Sequence, residues 1–139
     1  MTTPEQASQL RLATFRLARR LRTHKSDDSV TDAQFTVLGA LSRFGPHTLS
    51  ALAERERVSA PSVNRTVNCL EEAGLITRSE DSADRRRTNI EITASGADVV
   101  TRTVSKRDAW LTERLNELSH EDHVALARAA EIMARFADQ

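Results

Sequence analysis

Two short helical segments joined by a tight turn precede two strand-like segments with an arginine-rich tip, and long amphipathic segments flank this unit on both sides. That order predicts a mainly α protein with a small β-hairpin wing: a winged helix-turn-helix with N- and C-terminal dimerisation helices. The 139 residues allow one compact domain with helical arms and too little for two full cores. Multidomain enzymes are thereby excluded.

The first apolar stripe is Leu10, Ala13, Leu17 and Leu21, widened by Phe15 and Ala18, at helical spacing. A helix from Glu5 to His24 would be about 30 Å long at about 1.5 Å per residue. Such a length in so small a domain calls for a partner. The polar stretch Lys25 to Ser29 breaks it. Thr31 with Gln34 makes a capping box for a second helix, and Val30 against Phe35 is placed as a hydrophobic staple. Phe35, Leu38, Leu41 and Phe44 form its expected buried face, and Gly45 and Pro46 end it.

A short third helix is expected after Thr48, with Leu49, Leu52 and Ala53 facing inward. Ser59 caps a fourth from about Ala60 to Ala73, whose first turn tolerates Pro61 because no intrahelical hydrogen bond is lost there. Val63, Val67 and Leu70 are its core stripe, and Gly74 with Leu75 is suited to a Schellman closure. Leu75 to Glu80 and Thr88 to Thr93 read as a hairpin joined by the polar segment Asp81 to Arg87.

Thr93 caps a long helix with the apolar stripe Val100, Val104, Leu111, Leu115 and Leu118, and Trp110 beside it. A last helix follows Ser119, with Ala127, Ala130, Met133, Ala134 and Ala137 on one side and Phe136 flanking. No repeat or linker divides the chain. Residues 31–96 are therefore assigned to the winged helix-turn-helix lobe, and residues 1–25 and 97–139 to the helical dimerisation region.

Formal charge is balanced, with 20 basic and 20 acidic residues, but its distribution is not even. Residues 10–25 carry Arg11, Arg16, Arg19, Arg20, Arg22 and Lys25 without an acid, and 18 of the 20 basic residues are arginine, suited to forked contacts with phosphates and base edges. With its core stripe buried, the fourth helix would offer Ala60, Pro61, Asn64, Arg65 and Asn68 to a major groove, with Ser62 near its start. Arginine forks to guanine and asparagine to adenine, so Arg65, Asn64 and Asn68 are the expected base readers, and Ser59 and Ser62 the expected phosphate contacts. Solvated residues on a surface helix are the plainer alternative for any one of them. Arg85, Arg86 and Arg87 concentrate positive charge at the hairpin tip, where Arg86 is expected to enter a narrow minor groove and Asp84 to orient it.

The run Leu49 to Arg65, then Leu70, Glu71, Gly74, Leu75, Ile76, Arg78, Asp81, Asp84, Arg86, and Thr93 with Gly96, resembles the MarR (multiple antibiotic resistance regulator) family of bacterial transcription factors. Residues 31–96 carry the match in order and spacing. The resemblance implies an obligate homodimer, built from the N-terminal helix and the last two helices, that binds double-stranded DNA at a pseudo-palindromic promoter operator. It also implies a repressor released by a small, often aromatic or phenolic effector, bound between the dimerisation helices and the DNA-binding lobe. Arg16 and Arg20, one turn apart, could supply a carboxylate partner for such a ligand, although exposed side chains or pairing with acids of the other subunit is the plainer alternative.

Other chemistries find less support. Cys69 excludes an internal disulfide; a redox-sensing regulator acting through it is an alternative, although its place near Glu71 and Glu72 suggests a partly buried, unreactive thiol. His120 and His123 could share a metal only with a further ligand, so no metal and no cofactor are expected. Glycine-rich phosphate loops and nucleophile elbows are missing, which argues against an enzyme. A winged helix used only for protein contacts would leave the arginine tip without a purpose. No apolar run approaches the roughly 18 residues that cross a bilayer, and the basic, Glu5-containing start is unlike a signal peptide, so a cytoplasmic protein without a membrane partner is expected.

Overall fold

A computed structural model describes residues 3–24 and 30–139; the predicted helix break at Lys25 to Ser29 lies outside the described residues. The elements run α1 (Pro4–Arg22), α2 (Asp32–Phe44), β1 (His47–Thr48), α3 (Leu49–Glu56), α4 (Ala60–Glu72), β2 (Ile76–Glu80), β3 (Thr88–Ile92), α5 (Ala94–Asn116) and α6 (His120–Ala137). Every one of these helices opens on a hydroxyl cap: Thr3, Thr31, Thr48, Ser59, Thr93 and Ser119 each accept the backbone N–H three residues on. Such caps contribute about 1 kcal/mol each by satisfying a donor the helix itself cannot. At Thr31 the reciprocal bond from its N–H to Gln34 Oε1 (3.0 Å) completes the expected capping box.

The α4 end is a full Schellman closure. Leu75 N–H donates to Leu70 O (2.9 Å) and Gly74 N–H to Glu71 O (3.0 Å), with Gly74 at φ 76°. The helix-turn-helix corner differs: Arg57, not a glycine, takes the left-handed conformation at φ 55°.

The strands form an antiparallel sheet in the order β1-β3-β2, with His47 opposite Ile90 and Ile76 opposite Ile92. β1 was not expected, because two residues carry no alternation and are strand only through pairing with β3. The core lies between α2, α3, α4 and the sheet, where Leu38, Leu52, Val67, Leu70 and Ile90 are essentially sealed from solvent.

Several predicted faces are corrected. Phe44 points outward, 51% exposed beneath the Arg55 guanidinium, because the α2 stripe that reaches the core is Val37, Leu38, Ala40 and Leu41. On α5 the buried positions are Gly96, Val99 and Thr103; of the predicted stripe Val100 packs partly against the core, Val104 is exposed, and Leu118 lies exposed beyond the end of the helix. α1 ends at Arg22, and neither α1 nor α6 buries any residue. Leu10 and Leu17, expected in a packed stripe, are exposed in this chain.

Two joints fasten the arms to the lobe. At the first, Thr93 donates from its N–H to Leu75 O (3.0 Å) and from Oγ1 to Gly74 O (2.8 Å), so α5 starts directly on the turn that ends α4. Gly96 makes this approach possible: a Cβ there would stand 2.3 Å from the Leu75 carbonyl oxygen. At the second, Arg107 Nε donates to Leu21 O (3.1 Å) and His24 O (3.0 Å) while its guanidinium lies over Phe35. Burial disfavours its charged form and lowers its pKa, opposed by nearby Asp32 and assisted by Arg22.

Candidate nucleic-acid interface

α4 is amphipathic in the sense needed to read a groove. Val63, Val67 and Leu70 are buried, while Ser59, Ala60, Pro61, Arg65 and Asn68 are exposed and Ser62 and Asn64 half-buried. Ser59 Oγ already accepts the Ser62 N–H (3.3 Å), which leaves its own hydroxyl proton to donate. Asn68 is less free: its Oδ1 accepts from Arg78 Nη2 of β2. Bidentate reading of adenine uses both ends of the amide, so Asn64 and Arg65 are the side chains open for base contact.

Arg78 is a participant that pattern reading left aside. It lies on the same face of β2 as buried Ile76, with Glu71 Oε2 3.5 Å from its Nε. A charge two residues from a core position in a strand is on the inward face and needs a partner, and that was the available signal.

The wing tip is built around Asp84. Its Oδ1 accepts from the Arg86 backbone N–H (3.0 Å) and from Arg86 Nε (3.2 Å), and its Oδ2 from Arg86 Nη2 (3.3 Å). The side-chain bond to Arg86 and then the backbone bond hold the Asp84 carboxyl below its ordinary range, with the Arg87 charge adding to them and burial opposing. Arg86 is thus clamped at one edge while 91% of its side chain stands in solvent. Arg85 and Arg87 are exposed beside it. Backbone bonds from Asp81 N–H to Arg87 O (2.9 Å) and from Arg87 N–H to Asp84 O (3.0 Å) close the loop, so the charged tip has a defined shape.

The other predicted positions fall elsewhere. Arg16 and Arg20 border an open depression on α1 with Arg19, and Arg20 lies over the Trp110 ring, far in sequence from the reading helix. A separate hollow lies where α2, α5 and the end of α3 meet, lined among others by Phe35, Gly39, Phe44, Val100 and Val104 together with Arg43 and Arg55. Cys69 is exposed, correcting the expectation of a partly buried thiol: it follows Asn68 on the outer side of α4, away from Val67 and Leu70. No three His, Cys, Asp or Glu side chains cluster to hold a metal among the described residues, and no described helix is long and apolar enough to cross a membrane.

Comparison with known proteins agrees with this geometry. The MarR family profile matches residues 30–88. An HTH-type transcriptional regulator of Mycobacterium tuberculosis is 35% identical over 96% of this chain and 93% of its own length. The HTH-type transcriptional repressor MdtR of Bacillus subtilis is 32% identical over 78% of this chain and 68% of its own. Among solved structures, RV1404 from M. tuberculosis superposes with a TM-score of 0.90 at 25% identity, covering 100% of this chain and 97% of that one. BpsR of Bordetella bronchiseptica, whose DNA binding is regulated by 6-hydroxynicotinic acid, superposes at 0.68 and 25% identity, with 92% and 91% covered. With its helix-turn-helix, its wing and these relatives together, the chain belongs to the MarR family of DNA-binding transcriptional regulators.

Proposed function

We propose that the protein is a homodimeric repressor in the cytoplasm that occupies a pseudo-palindromic promoter operator and leaves it when a small molecule binds. The observation that carries the reading is the wing: Arg86 donates three hydrogen bonds to the Asp84 carboxylate and is still presented almost wholly to solvent. An ordinary solvated loop has no use for an immobilised arginine, whereas a minor groove with enhanced negative potential does. Asn64 and Arg65 then read bases in the adjacent major groove, Ser59 and Ser62 hold phosphates, and Ala60 and Pro61 let the helix start approach closely. Arg85 and Arg87 add charge along the backbone.

Pairing is supported by the unburied apolar side chains of α1 and α6, among them Leu12, Phe15, Val124 and Phe136. A two-fold axis would set the reading helices about 34 Å apart, one duplex turn. The hollow between α2 and α5 is the better supported effector site than Arg16 and Arg20, because it joins the arm to the lobe. A ligand there acts only through a difference in affinity between two lobe spacings. The repressor MdtR and the ligand-regulated BpsR lend weight to both halves of this reading.

Fluorescence anisotropy with a promoter fragment and a scrambled duplex at two salt concentrations tests it. Salt-sensitive binding with a preference for the promoter is expected, and Arg86→Ala should weaken it. Binding without sequence preference, or an Arg86→Ala variant as tight as wild type, would count against the proposal.

A further inference from the structure

An open cleft of about 550 Å³ lies between the first turn of α3 and the root of the wing, lined among others by Thr48, Ser50, Glu54, Arg78, Arg86 and Arg87. We propose that this cleft seats a backbone phosphate of the duplex, and that Asn68 and Glu71 are positioning residues that fix Arg78 within it. The inference rests on the DNA-binding reading above and adds to it a contact zone separate from the groove-reading side chains.

Arg78 carries the argument. Its Nη2 donates to Asn68 and its Nε lies 3.5 Å from Glu71 Oε2, so two α4 side chains hold one edge of the guanidinium. Nε itself is shut off from solvent beside Glu71, so a phosphate in the cleft would be met by the accessible part of the side chain, 29% of which is exposed. A guanidinium held at one edge and open at another is placed for an oxyanion, since charge-assisted bonds to phosphate are about twice as strong as neutral ones. Opposite it, Thr48 accepts the Ala51 N–H and keeps its own proton to donate, and Ser50 is exposed. The α3 start adds a partial positive charge.

The occupant follows from the location. The first helix of a helix-turn-helix crosses the phosphate backbone while the second enters the groove, and here α3 is that first helix. Arg86, committed to the minor groove, and Arg78, anchored to the reading helix, would bracket the strand between them. Glu54 is the opposing charge on the cleft wall. It weakens the seat and supplies a direct probe.

The test uses the full-length protein, the promoter fragment and the scrambled duplex. Arg78→Gln should weaken binding to both about equally, by roughly tenfold, and lower the slope of log K against log salt by about 0.9 per subunit. Glu54→Gln should tighten binding to both severalfold, a gain that loss of folding cannot produce. Asn68→Ala should resemble Arg78→Gln and preserve the promoter-to-scrambled ratio. An unchanged salt slope in Arg78→Gln, or no gain in Glu54→Gln, overturns the seat. Loss of sequence preference in Asn68→Ala overturns its positioning role and returns it to base reading. Wild-type protein that shows no salt-sensitive DNA binding would defeat the underlying reading instead, so the two failures are distinct.

Discussion

The DNA-reading lobe and the helical arms are built from the same amphipathic pattern and end differently. In the lobe, α2, α3, α4 and the sheet find their apolar partners within the chain, and Leu38, Leu52 and Val67 have no exposed surface at all. In the arms, α1 and α6 bury no residue, and Phe15, Val124 and Phe136 are each more than half exposed. The caps are equally good in both. What differs is whether the complementary surface is encoded nearby, so an apolar stripe fixes that a face will be covered and leaves open by which chain. Exposed apolar side chains gathered on these two helices are what the proposed pairing would cover.

The sharpest way to break that comparison is to truncate one side chain on each side of it. Leu38→Ala should lower the urea-unfolding free energy by about 3 kcal/mol, the transfer cost plus a cavity, and leave the subunit dissociation constant unchanged. Phe136→Ala should do the reverse, weakening subunit association by about 2 kcal/mol, or roughly thirtyfold, at most slightly altering the fold. Analytical ultracentrifugation beside chemical denaturation separates the two. If both substitutions act alike, lobe and arms are one cooperative unit.

The joint between the regions comes next in size. Gly96→Ala drives a Cβ to 2.3 Å from the Leu75 carbonyl and 2.8 Å from Ile92 Cγ1, and backbone cannot step aside as a flexible side chain does. A loss of about 1–3 kcal/mol is expected, with DNA affinity falling further than stability alone explains, because the same contact sets α5 against the end of the reading helix. Thr31→Ala removes a cap inside the lobe and should cost about 1 kcal/mol without touching DNA affinity. Thermal denaturation and anisotropy on the same samples check both.

The legibility of these features in the sequence follows their range. Thr31 with Gln34, Ser59 before Pro61, and Gly74 with Leu75 act within a few residues, so reading them needed no fold. Asp84 and Arg86 were legible for the same reason, two positions apart on one polar loop. β1 escaped notice because its strand character comes from Ile90, more than forty residues away. α5 was misread in part because two partly overlapping stripes run along it: Gly96, Val99 and Thr103, with Val100 beside them, meet the lobe, while Val104 is left outside. A single hydrophobic pattern could not say which stripe belongs to this chain. Arg107 was missed, and Arg78 was named in the motif without a role, because both act through partners outside their own element, Asn68 on α4 and the carbonyls of Leu21 and His24 across the arm joint.

The smallest expected effect lies at the wing, where no side chain is fully buried and the Arg86 side chain is held by the Asp84 carboxylate. Asp84 is held below its ordinary value near 3.8, first by the Arg86 side chain and next by the Arg86 backbone N–H. A depressed folded-state value means that this group's contribution is fully present above the unfolded value and is lost only as pH falls through the lowered one. Between pH 5 and 8 the clamp therefore stays closed, and the wing's share of DNA affinity should be flat across that window. Asp84→Asn removes a negative charge close to where phosphates would approach, which by simple electrostatics would tighten binding. If the carboxylate works chiefly by holding the Arg86 side chain in place, affinity instead falls about threefold, the order expected when one long side chain must be immobilised on binding. The salt slope should change little, because Arg86 keeps its charge. Anisotropy titrations at pH 5, 6.5 and 8 with wild type and Asp84→Asn decide between the two signs, and a tighter variant would show that the tip attracts DNA by charge alone.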